Sequence, residues 1–227
     1  MSEPRKYMIV LWRPADVAID AFRAELVGAR AAAAMALRPA SLAVNVADGP
    51  RSPISRKRAD GARIGGLASL TAADDGGAAA IAGALDPGGR HHAVYRVDEA
   101  VPVEYERTWP LGTQSPGLKQ VTFLSRRPGM TYDEFVAYWH GSHTPLAIEV
   151  HPLWRYVRNV VVDAVTAGAP GYEGIVELQF RSVDDVTDSG RFYGGKAENA
   201  ERIAIDVRNF IDFDTIDISH MNEIVLA

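Results

Sequence analysis

The residues best suited to chemistry in this chain are two histidines in the run YWHGSHTPLA, residues 138–147. His140 and His143 stand three apart, so on a helix they lie about one turn from each other. That spacing can share a metal ion, yet nothing close by completes a ligand set, because Glu149 lies beyond Pro145. Proton transfer remains: an imidazole takes up and gives up a proton near neutral pH, a role typically worth roughly 10²–10⁴-fold in rate. Residues at i, i+4 and i+8 share one side of a helix, so Phe135, Trp139 and His143 form a row, flanked by Tyr138. With the two aromatics against a sheet, His143 opens onto the cleft between helix and sheet, while His140 turns toward solvent. The plainer alternative is that His143 caps the end of its helix.

Two further residues belong to the candidate site. In the last strand, alternation puts Ile216, Ile218 and His220 on one side, so His220 is expected to face the same helix-covered layer. Tyr193 could line the cleft as a hydroxyl donor, against a plain packing role. The surrounding GRFYGGKA, residues 190–197, has the glycine and lysine spacing of a phosphate loop but carries Ala197 where a Ser or Thr is needed. It is read as coincidence.

The elements that position these side chains follow from turn and cap signals. Residues 119–126 read as a strand, and Pro128-Gly129 as the turn after it. Thr131 with Glu134 has capping-box spacing and starts a helix expected to run from residue 132 to about 143, where Pro145 should end it. Residues 154–162 and 174–180 read as strands. Ser182, Asp184 and Asp185 open a second helical region in which Ala200, Ile203, Ala204, Val207 and Phe210 keep helical spacing. Residues 215–226 close the series. The order is βαββαβ, a ferredoxin-like unit.

The N-terminal half repeats that order less cleanly. Strands are expected at 7–12, 41–46, 64–70 and 91–101, with helices at 16–37 and 78–85. Pro14, Phe22 and Gly28 can be laid against Pro128, Phe135 and Gly141, and Asp74-Asp75 against Asp184-Asp185. Arg30 then falls where the other half has His143. The halves are expected as residues 1–109 and 118–227, joined by a linker at 110–117. A polar insertion at 49–66 is a mobile surface loop or, more sharply, a lid or anion-binding loop. A single unit of this kind leaves one sheet face apolar and uncovered, so the class expected is α+β, with two tandem ferredoxin-like units packed sheet to sheet and helices outside.

Composition narrows the function classes. A net charge of −5 over 227 residues argues against a nucleic-acid or membrane-surface binder. The chain has no cysteine, which removes thiol nucleophiles, disulfides and cysteine-held metal sites. The opening apolar run is too short for a signal core or a span, so a cytoplasmic protein is expected.

The run FLSRRPGMTYDEFVAYWHGSHTPLA, residues 123–147, resembles the EthD family of the dimeric α/β-barrel superfamily, and residues 191–216 look like that family's second helix and last strand. The resemblance implies an intrachain dimeric α/β barrel. It also implies a small-molecule enzyme acting without metal or dinucleotide on an apolar, aromatic or polyketide-like, oxygenated compound, as a lyase, cyclase or monooxygenase. His143 matches the family's His-x-Pro-Leu motif and would be the acid or base. Tyr138, Trp139, Tyr193 and His220 would shape the substrate pocket. Rival readings are a non-catalytic barrel that binds a small ligand and a haem-binding oxygenase-like protein. The expected partner is a small molecule, and a homodimer of the pseudo-dimeric chain is compatible with the sequence.

Overall fold

Each half opens with an apolar strand that feeds a helix broken by a π turn. The computed structural model describes residues 3–50, 63–89 and 91–227. In the first half β1 (Arg5–Trp12) leads to α1 (Ile19–Glu25), a π turn (Leu26–Arg30) and α2 (Ala31–Ala36). After these come β2 (Ser41–Val46), β3 (Ile64–Ala72), α3 (Asp75–Leu85) and β4 (His92–Val103). The second half has β5 (Leu118–Leu124), α4 (Tyr132–Tyr138), a π turn (Trp139–His143) and α5 (Thr144–Val150). It continues with β6 (Leu153–Ala164), β7 (Gly174–Phe180), the short α6 (Asp184–Thr187) and α7 (Ser189–Phe192), α8 (Ala197–Val207) and β8 (Asp217–Val225).

The strands join in the order β1-β3-β2-β8-β5-β7-β6-β4 and close on themselves as an antiparallel barrel. Each half contributes one four-stranded sheet. The sheets do more than stack, because they are hydrogen-bonded at both edges, β2 to β8 and β4 to β6. Helices cover much of the outer face, so β5 and β7 are buried along their whole length, while β4 and β6 keep exposed residues.

Three apolar clusters result. One lies between the N-terminal sheet and its helices, around Phe22, Leu26, Leu42, Leu70 and Ile81. A second lies in the matching place of the C-terminal half, around Phe135, Trp139, Phe180, Phe192 and Phe210. The third fills the barrel itself, with Met8, Tyr95, Phe123, Tyr172 and Met221. One end of the barrel is instead polar. The buried Lys119 ammonium donates to Glu177 Oε2 at 2.7 Å and also to Glu223. Burial acts to raise the Glu177 carboxyl, but the charges of Lys119 and Lys6 outweigh it and hold the group down to about 2. The segment 110–117 lies along this end, with Ser115 donating to Glu223 Oε2 at 2.9 Å.

The expected start of the C-terminal helix is present. The Thr131 hydroxyl accepts from the Glu134 N–H, and Glu134 accepts in return from the Thr131 N–H. Its expected end is not, for the helix runs through Pro145 to Val150. The π turn explains this. It inserts an extra residue just before the proline, which then sits in the first turn of α5, where a missing N–H costs little. The Thr144 N–H and hydroxyl both return to the Trp139 carbonyl, which keeps that group satisfied. Of the insertion expected at 49–66, residues 64–66 belong to β3 and the Gly49 N–H donates to the His220 carbonyl. Residues 51–62, and with them the lid or anion-binding reading, lie outside the described residues.

Candidate functional site

A cavity of about 270 Å³ lies between the helices and the sheet of the C-terminal half. Most of its wall is apolar, including Trp139, Leu178, Phe192, Val207 and Phe210, and the polar side chains reaching it are few. An apolar hollow with a small number of placed polar groups is the usual form of a small-molecule site. Arg208 and the exposed Phe213 stand on the same wall.

His143 closes the π turn and faces Asp206 of α8, with Nδ1 2.5 Å from Oδ2. Asp206 is buried, and its other oxygen accepts from the Tyr138 hydroxyl at 3.0 Å; Asn209 in turn donates to the tyrosine oxygen at 2.9 Å. One Asp206 oxygen thus faces the imidazole while the tyrosine hydroxyl holds the other. A carboxylate only accepts, so a neutral imidazole in this place carries its hydrogen on Nδ1 and keeps a lone pair on Nε2, on a residue that lines the cavity. The Phe210 ring packs against the imidazole at 5.0 Å and fixes its plane. An imidazole oriented at one nitrogen by a carboxylate, with the other nitrogen free, is equipped to take a proton from a bound molecule and return it.

A second imidazole lines the cavity. His151 is buried just after α5, and its Nδ1 lies 2.8 Å from the Phe192 carbonyl. A carbonyl only accepts, so Nδ1 is the donor and Nε2 an acceptor. Burial, with a smaller contribution from the His143 charge, lowers the His151 pKa to about 4 against the opposing pull of the Phe192 carbonyl. His151 is thus a neutral hydrogen-bond acceptor at ordinary pH.

Trp139 and Tyr193 lie in the cavity wall. Trp139 is completely buried, and its indole N–H donates to the Tyr156 oxygen at 3.2 Å. Tyr138 is placed differently: its hydroxyl holds Asp206 from behind, and the residue does not line the cavity. His220 also departs from the expectation. It is buried and hydrogen-bonded to the Pro50 carbonyl, outside the cavity wall, because the segment leaving β2 covers that part of β8. Alternation gave its side of the sheet correctly but could not show which element roofs it. Among the described residues no group of three His, Asp or Glu is arranged to hold a metal ion.

Sequence reasoning missed Asp206, His151 and Gln120. Asp206 had a signal: it falls three residues after Ile203 and four before Phe210, an acid on the apolar face of α8. A buried acid in that row calls for a partner. His151 sits in a two-residue connection with no periodicity to orient it. Gln120 lies in a strand buried on both faces, where alternation is invisible.

Fold and cavity together define a dimeric α/β barrel whose two ferredoxin-like units reside in one chain, with a ligand-sized hollow in the second unit. Within that second half, residues 127–214 match the family model described as EthD domain. No curated protein matches the sequence. Among solved structures, an anthrone oxidase-like protein aligns over 100% of this chain and 92% of its own, at a TM-score of 0.62 and 10% identity. A Lactobacillus acidophilus NCFM protein provisionally described as a monooxygenase aligns over 99% and 96%, at 0.52 and 9%. At such identities the likeness establishes the fold.

Proposed function

We propose that the protein is a small-molecule enzyme in which His143 acts as general base, then general acid, on an apolar, oxygen-bearing compound held in the C-terminal cavity. The observation that carries this reading is the Asp206 carboxylate on Nδ1 of an imidazole whose residue lines an otherwise apolar hollow. Acid/base chemistry next to a carbonyl fits those groups. His143 Nε2 removes a proton, Asp206 stabilises the imidazolium that forms, and the same nitrogen returns the proton to the product. The structural relatives, described as anthrone oxidase-like and as a monooxygenase, lend weight to an aromatic or polyketide-like substrate.

The test is turnover of a panel of aromatic and polyketide-like acids by the wild type and by His143→Ala. A fall of roughly 10²–10⁴-fold is expected for any substrate found. Unchanged turnover would remove His143 from the mechanism. Tight binding without turnover of any member would favour a ligand carrier built on the same barrel.

A further inference from the structure

The two halves provide an internal comparison. In β1, Tyr7, Ile9 and Leu11 face the helices and stand opposite Leu70, Ala68 and Gly66 of β3. In β5, the corresponding places are held by Gln120, Thr122 and Leu124, opposite Leu178, Val176 and Gly174 of β7. The N-terminal half fills its layer: Ile9 is apolar, and Tyr7 reaches across to donate its hydroxyl to Asp75 at 2.8 Å. Its counterpart Gln120 is only 5% exposed, lies in the cavity wall, and leaves Oε1 buried with no hydrogen-bond partner. Leaving such a group unmatched is unfavourable by an amount a packed core avoids, as Ile9 and Tyr7 do.

His151 repeats the pattern on the helix side. Its Nδ1 is used by the Phe192 carbonyl, which leaves Nε2 as a fixed acceptor on the same cavity. We propose that Gln120 and His151 form a recognition pair that selects ligands bearing a hydroxyl or comparable hydrogen-bond donor, and that this pair rather than His143 determines specificity. The ligand class is a hydroxylated ring compound small enough for about 270 Å³, below the ~300–1,000 Å³ usual for drug-sized ligands. Orientation follows: the hydroxyl is held at the pair, and the remaining ring carbons are carried past His143. The proposal rests on the cavity being the substrate site, as above, but not on His143 being the acid or base.

Equilibrium dialysis of the full chain against 1-naphthol, 1-methoxynaphthalene and naphthalene tests it. The three probes share a ring system and differ in the donor. Wild type is expected to hold 1-naphthol roughly tenfold or more tightly than the other two, because a buried acceptor left unpaired penalises the analogue. In Gln120→Leu and in His151→Phe the preference is expected to shrink to within about threefold. His143→Ala is expected to keep it, so a failed turnover experiment and a failed recognition pair give different results. The proposal is overturned if the methyl ether binds wild type as tightly as the naphthol, if the preference survives in Gln120→Leu, or if no probe is retained. Should His151→Phe fail to fold, Gln120→Leu, which restores the apolar pattern of β1, decides alone.

Discussion

Arg30 and His143 each close the π turn of their half, and they do opposite things there. The Arg30 guanidinium lies over the Phe22 ring at 5.8 Å, pairs with Glu25 and reaches the Leu85 carbonyl, so it seals the end of a filled layer. The His143 imidazole meets Asp206 at the edge of a hollow. One backbone position thus serves packing in the first half and candidate chemistry in the second.

The His143–Asp206 contact predicts a fixed tautomer. Imidazole nitrogen NMR of the wild type is expected to show neutral His143 protonated at Nδ1. Asp206→Ala removes the acceptor of both His143 and Tyr138 and is expected to lower stability by about 1–3 kcal/mol in urea denaturation. A variant of wild-type stability with the same tautomer would refute the orienting role.

Acidification should weaken the fold in two stages. Burial lowers both His151 and His220 to about 4, against 6.5 for the free side chain, so the unfolded chain binds protons first. Their contribution is present in full above pH 6.5 and is lost as the pH falls toward 4. Glu177, held to about 2 against 4.5, adds a further loss only below pH 4.5. Urea midpoints measured across this range should decline from 6.5 downward, and His151→Phe should flatten the first stage.

The buried ion cluster predicts an asymmetry between single and joint replacement. Lys119→Met strands two carboxylates in the barrel and is expected to cost about 3–5 kcal/mol. Lys119→Met combined with Glu177→Gln and Glu223→Gln should recover most of that loss. Chemical denaturation separates the cases, and equal stability of the single and triple variants would contradict this account.

Close packing over the sheet predicts paired effects at two glycines. A Cβ on Gly174 would lie 2.7 Å from the Trp139 ring, and one on Gly66 would lie 2.8 Å from Leu26 and 2.9 Å from the Asn45 carbonyl oxygen. Gly174→Ala and Gly66→Ala are each expected to destabilise by about 1–3 kcal/mol. Gly174→Ala should also shift tryptophan emission, since Trp139 must move. Unchanged melting in both would show that the helices stand further from the sheet.

Much of the architecture was legible because it is local. The Thr131–Glu134 capping box and the turn at Pro128-Gly129 announce the C-terminal helix, and the short apolar runs at 41–46 and 174–180 are strands to the residue. Pro145 misled because a π turn has no sequence signature that distinguishes it from a helix end. The site was legible only in part. His143 and Trp139 lie on one helical row, whereas Tyr193, Asp206 and Gln120 arrive from the end of α7, from α8 and from β5, and their meeting depends on how the layers pack. His220 shows the reverse error, in which the correct face of a strand is covered by an unforeseen neighbour.

The ring of eight strands has a consequence for association. Among the described residues every strand has a hydrogen-bonded neighbour on each side, so the barrel has no free edge strand for another chain to extend. A second chain meeting these residues would dock on their side chains rather than lengthen the sheet, and substitutions there can be made without disturbing the staves of the barrel.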